Sequence, residues 1–234
     1  MRLIFVRHGE PDYKNDCLTE NGISQAKSAA ERLKNENISV IYSSPMGRAK
    51  ETASYTADTL GLEINVLDFM HEIDWGTAEN TPDAEAPKFG GHPWTLGYEL
   101  LTEHPEMISS ECWREHFSFG NNICMGYYDM ISDKFDKFLE NFGLYRKDGL
   151  YLCREECETT AALFAHGGSG AVMFSHVLNL PFPFVLTSMP YGVCSVSVLN
   201  FEQSVGKKVI PRLELFNDMR HISTVRAEKL HFDK

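Results

Sequence analysis

Positive charge is in short supply. Against 33 acidic side chains the chain carries 22 lysines and arginines, a formal net charge of −11. A general nucleic-acid binder needs a basic footprint to displace counterions from phosphates, so that class of function is excluded. An anionic small substrate is not excluded, because a few local arginines override a global field. Metal and disulfide frameworks are lacking too. Cys17, Cys112, Cys124, Cys153, Cys157 and Cys194 contain no C-x-x-C pair, and Cys153-x3-Cys157 has no matching pair elsewhere. They are read as reduced thiols. No apolar run approaches a membrane span, no leader-type apolar segment precedes the first strand pattern, and there is no repeat or low-complexity tract. The expectation is a cytoplasmic protein with no membrane or nucleic-acid partner.

What is present is the composition of an ordinary globular protein: 234 residues, 43% apolar and 24% charged. One domain over residues 1–234 is expected, long enough to bury a core without staples. LIFVRHG reads as a short buried strand running into a turn. LTENGISQAKSAAERLKNEN reads as a helix with Thr19 as N-cap. VIYSSP is a second strand, MGRAKETASYTADTLG a second helix closed by Gly61, and INVLDF a third strand. This β-α-β-α-β alternation predicts an α/β fold, a three-layer sandwich with a mostly parallel sheet between helices. Residues 81–126 break the rhythm with prolines at 82, 87, 93 and 105 and many aromatics, which suggests an inserted lid. MISDKFDKFLENFG returns to helical spacing. TTAALFAHGG is a strand and turn, GAVMFSHVLNL a helix, and CSVSVLNFE and RLELFNDM are late strands.

Ligands of open parallel sheets bind beyond the carboxyl ends of the strands. Three such ends carry suggestive residues: Arg7-His8, Ser43-Ser44 followed by Arg48, and His166-Gly167-Gly168. Arginine's planar fork matches phosphate oxygens and keeps its charge. Histidine serves as nucleophile, acid–base group or donor. A phosphoryl group suits this set.

The motifs stand in a familiar order. Arg7-His8-Gly9-Glu10 follows the first strand, LTENGISQA opens the first helix, YSSPMGRAKETA carries Arg48, HEIDWGTAEN carries Glu72, and FAHGG carries His166. Over residues 1–80 and 158–202 the sequence resembles the histidine phosphatase superfamily, in its phosphoglycerate mutase-like branch. The resemblance implies that His8 attacks phosphorus and forms a phosphohistidine that water hydrolyses. It implies that Arg7, Arg48, His166 and the Gly167 N–H hold the phosphoryl group, and that Glu72 is the proton donor, with Asp74 and Glu79 as rivals. His166 also counts as catalytic, because it stabilises charge in the transition state. For His8 to attack, its other ring nitrogen must donate to a fixed acceptor such as a backbone carbonyl. No metal or other cofactor is called for, since the arginines neutralise the charge. Asn80, where the family often has glycine, departs from the pattern.

The function expected is a phosphoric monoester hydrolase acting on a small phosphorylated metabolite. A cofactor-dependent phosphoglycerate mutase is the alternative, and an inactive regulatory or binding protein on the same fold a second. Residues 81–126 weigh against the mutase. They hold two cations, Lys88 and Arg114, against seven acidic residues, alongside six aromatics, a poor surface for a second anionic group. The sequence GGSGA after His166 superficially echoes a serine-nucleophile turn, but that reading leaves both arginines unexplained. The remaining histidines sit in no metal-like spacing.

Overall fold

Strand β1 (Arg2–Arg7) shows why the fold has three layers. In a computed structural model of the chain, which describes residues 1–76, 93–109, 111–120 and 122–222, all of Leu3–Val6 is buried. Side chains alternate across a strand, so Leu3 and Phe5 enter one apolar cluster while Ile4 and Val6 enter another. A strand buried on both faces needs a cover on each side.

The chain continues through a short pairing of β2 (Pro11–Asp12) with β3 (Cys17–Leu18) into α1 (Glu20–Leu33). Thr19 caps this helix, its hydroxyl accepting the Gly22 N–H at 3.0 Å. β4 (Val40–Ser43) leads to α2 (Gly47–Leu60). That helix ends at Gly61, whose φ of 67° lets its N–H reach the Ala57 carbonyl. β5 (Ile64–Val66) follows, then a tight turn at Asp68–Met70. Beyond residue 92 come α3 (Pro93–Glu103), α4 (Phe117–Gly120) and α5 (Cys124–Glu140). The hairpin β6 (Leu144–Lys147) and β7 (Leu150–Cys153) precedes β8 (Thr160–Ala165), α6 (Gly167–Leu178) and α7 (Phe182–Ser188). β9 (Val196–Asn200), β10 (Lys208–Val209) and β11 (Arg212–Asp218) complete the described fold.

The main sheet has the order β11-β9-β1-β8-β4-β5. β1, β8, β4 and β5 run parallel, and β9 runs against β1 and β11. Ala53 and Ala57 of α2 and Leu33 of α1 cover one face of the sheet. Ile131, Phe135 and Phe138 of α5 and Val172, Met173 and Phe174 of α6 cover the other. The expected α/β sandwich is the observed one. No helix among the described residues is long and apolar enough to cross a membrane, and the six cysteines form no disulfide.

Residues 77–92, 110 and 121 lie outside the described part; with them go Glu79 and Asn80 and, from the suggested lid over 81–126, Lys88 and Phe89. Trp113 and Phe119 are fully buried, and the Trp113 ring packs against Phe119, Tyr128 and Phe182. Helix α5 starts at Cys124, earlier than Met130 where the sequence pattern places it, because Cys124 and Tyr128 already face this cluster.

Candidate active site

The sheet brings three strand ends together. β8 lies between β1 and β4, with Arg7 opposite Ala165 and Ser43 opposite Phe164. The next residue of each strand, His8, His166 and Ser44, therefore emerges at one carboxyl edge. Backbone bonds extend the pairing past the strands: the His8 N–H donates to Ala165 at 2.9 Å and the Ser44 N–H to Phe164 at 2.8 Å. The His8 and His166 rings sit 5.0 Å apart, centroid to centroid, and both are buried.

His8 is held in one protonation state. Its Nδ1 lies 2.7 Å from the Gly9 carbonyl, an oxygen that only accepts. Nδ1 therefore carries the hydrogen, and Nε2 keeps its lone pair. Burial, followed by the nearby Arg7 and Arg48, holds the imidazole down at about 3, so the ring is neutral at physiological pH. The turn is pinned to α2, since the Gly9 N–H donates to the Thr52 hydroxyl at 3.0 Å and that hydroxyl donates to the Arg48 carbonyl at 2.7 Å.

Both arginines are buried and anchored. Arg7 Nη1 donates to the Tyr191 carbonyl at 2.8 Å. Arg48 Nη1 donates to Asp16 Oδ1 at 2.6 Å, and the other oxygen of Asp16 accepts the Gly47 N–H at 2.6 Å. Any side chain at position 47 would collide with the Asp16 carbonyl, which is why glycine starts this helix. Two guanidinium groups held in place beside a neutral histidine make a pocket whose chemistry suits a dianion, with their ordering cost met by the fold.

Glu72 approaches from the turn after β5. Its Oε1 accepts three N–H groups: Ile73 at 3.0 Å, Gly168 at 2.9 Å and Ser169 at 3.1 Å. Its hydrogen bonds among the described residues all fall on Oε1, which leaves Oε2 as the oxygen to carry a proton. Desolvation by burial raises the carboxyl above its ordinary range despite the three donors. Gly168 makes the approach possible, since an added Cβ would meet Glu72 Oε1 and the Ile73 side chain.

The first turn of α6 then has one N–H left. Gly168 and Ser169 serve Glu72, the Gly170 N–H returns to the His166 carbonyl at 3.1 Å, and the Gly167 N–H makes no hydrogen bond among the described residues. Tyr191 fixes this turn, its buried hydroxyl donating to the Gly167 carbonyl. The indole of Trp94, from α3, packs against Gly167.

The structure thus brings Arg7, His8, Arg48, Glu72, His166 and Gly167 to one place. Of the rival acids, Asp74 is exposed and accepts from the Tyr127 hydroxyl at 2.8 Å, and Glu79 lies outside the described residues. Ser169 is buried and donates to the Met70 carbonyl at 3.2 Å, a geometry unsuited to a nucleophile. Sequence reasoning missed Asp16, Thr52 and Tyr191, which hold the site; Thr52 lies within YSSPMGRAKETA without being singled out there, and Asp16 and Tyr191 belong to no motif.

The histidine phosphatase superfamily (branch 1) model matches residues 3–113. That match covers just under half of the chain, and over it the sequence is similar to the superfamily. Among solved structures of similar fold are a phosphoserine phosphatase from Entamoeba histolytica (TM-score 0.62, 22% identity, 94% of this chain and 98% of that one) and a mycobacterial glucosyl-3-phosphoglycerate phosphatase (0.61, 21%, 92% and 98%). An α-ribazole phosphatase from Shigella flexneri is another (0.59, 16%, 94% and 97%). At these identities the likeness establishes the fold alone. Among curated sequences, the probable phosphoglycerate mutase GpmB of Yersinia pestis is 35% identical over 91 residues, 35% of this chain. That match spans only 42% of the relative's length. Arg7, His8, Arg48 and Glu72 lie inside the region that the family model matches, while His166 and α6 lie beyond it.

Proposed function

We propose that this protein is a histidine phosphatase superfamily member and a phosphomonoesterase that hydrolyses a small phosphorylated metabolite through a phosphohistidine on His8. The observation that carries the reading is the His8 Nδ1–Gly9 carbonyl bond at 2.7 Å, which leaves a neutral ring with Nε2 ready to attack. Nε2 donates its lone pair to phosphorus while the bond to the leaving oxygen breaks, and Glu72 Oε2 protonates that oxygen. Glu72, now a carboxylate, takes a proton from water as the water attacks phosphorus, and the Nε2–phosphorus bond breaks to restore His8. Arg7, Arg48, His166 and the Gly167 N–H hold the phosphoryl oxygens and oppose their developing charge.

The names of the similar structures, three phosphatases of small phosphorylated metabolites, support hydrolysis. The GpmB match supports the mutase alternative. A mutase must hold a bisphosphate while it reorients, which calls for several cations beyond the phosphoryl pocket. In residues 81–126, however, Arg114 donates to Asp129 at 2.6 Å, and acidic residues outnumber basic ones. The test is a panel of phosphomonoesters with His8→Ala as the blank, run beside an assay for interconversion of 2- and 3-phosphoglycerate. Hydrolysis that depends on His8 and exceeds interconversion is the expected result. Interconversion stimulated by 2,3-bisphosphoglycerate and exceeding hydrolysis would establish the mutase, and inactivity across the panel would favour a binding or regulatory role.

A further inference from the structure

Ser44, the residue after β4, is fully buried, and its hydroxyl has two neighbours. Oγ accepts the Met46 N–H at 3.2 Å and lies 2.7 Å from Nε2 of His166. A hydroxyl has one proton to give. Among the described residues no acceptor other than Nε2 lies within hydrogen-bond distance of Ser44 Oγ, and the group has no access to solvent. Were Nε2 protonated, Ser44 would receive two donors and bury its own proton without an acceptor, a costly arrangement. Its proton therefore goes to Nε2, and the ring hydrogen of neutral His166 sits on Nδ1. That nitrogen is buried and makes no hydrogen bond among the described residues, on a ring beside His8, Arg7 and Arg48.

We infer that Ser44 is a positioning residue that fixes the tautomer of His166, so that Nδ1–H donates to a phosphoryl oxygen bound between the arginines. The role of this donor rests on the phosphatase reading, whereas the tautomer does not. The turn Ser44-Pro45-Met46 gives the device its rigidity. The Met46 N–H occupies a lone pair of the hydroxyl, and proline fixes the backbone between the two residues.

The test is long-range ¹H–¹⁵N correlation NMR on the whole protein with labelled histidine, His166 being assigned by the signal lost in His166→Asn. Spectra are taken with and without orthovanadate for wild type, Ser44→Ala and Ser44→Thr. Wild type should carry the hydrogen on Nδ1, and vanadate should perturb that proton. Ser44→Ala should show mixed tautomers and bind vanadate roughly tenfold more weakly, the loss of about one hydrogen bond, while Ser44→Thr should restore both. An Nε2–H tautomer in the wild type, or an unchanged tautomer in a folded Ser44→Ala protein, would overturn the inference. Because the tautomer is read without turnover, an Nδ1–H ring in a protein that hydrolyses no phosphomonoester would support the Ser44 assignment while refuting the phosphatase reading. An active enzyme with an Nε2–H ring would do the reverse.

Discussion

Oε1 of Glu72 lies 2.9 Å from the N–H of Gly168, which places the carboxyl against the opening turn of α6. Helix N-termini ordinarily receive anions. Here Glu72 takes two of the available N–H groups and the Gly167 N–H remains for a second ligand. The same contact fixes the carboxyl's orientation, with Oε1 bound to backbone and Oε2 without a hydrogen bond among the described residues.

Replacing Glu72 with glutamine preserves the shape and the accepting Oε1 but removes the proton. On alkyl phosphates, whose leaving oxygen needs protonation, kcat should fall about 10²–10³-fold. On activated aryl phosphates the loss in the bond-breaking step should be far smaller. Single-turnover rates across a series of leaving groups measure this, and a uniform loss would move the acid role to another residue such as Asp74.

His8 is neutral in the folded protein down to about pH 3, whereas an unfolded histidine titrates near 6.5. Below 6.5 the unfolded chain binds a proton that the native ring refuses, so stability is lost as pH falls through that window. Between pH 7.5 and pH 5.0 this amounts to about 2 kcal/mol from His8. Urea unfolding at the two pH values should show His8→Asn losing less stability than wild type by about that amount. Parallel losses would contradict a neutral buried His8.

Asp16 holds Arg48 from a residue with φ 49°. Asparagine tolerates that backbone, so Asp16→Asn isolates the carboxylate. Arg48 loses its charged anchor, and kcat/KM should fall about tenfold. The unfolding free energy should change by less than about 1 kcal/mol, because Asp16 is partly exposed. Unchanged kcat/KM would show that Arg48 needs no anchor.

Much of this was legible in the sequence, for physical reasons that also mark where it stopped. Leu3–Val6 and Ala161–Ala165 are buried on both faces, and such strands read as apolar runs. Thr19 and Gly61 carry their capping chemistry locally. The hairpin Leu144–Cys153 is absent from the sequence-based expectation although Asp148-Gly149, both at positive φ, is a strong two-residue turn signal. The reversal of β9 was not legible, because alternation gives a strand's faces and not its direction. Within the site, His8 and Arg48 lie in motifs. Asp16 reaches it through Arg48, 32 positions away, and Tyr191 through Gly167 and Arg7, 24 and 184 positions away, and neither spacing nor composition signals them.

Trapping the covalent bond between phosphorus and His8 decides the mechanism. Protein mixed briefly with ³²P-labelled phosphomonoester and quenched in alkali should carry label that survives base and is lost in acid. The label should be absent from His8→Ala and present in His176→Ala, whose ring instead pairs with Asp136. Equal labelling of His8→Ala, or wild-type turnover with no acid-labile label under single-turnover conditions, would contradict the account.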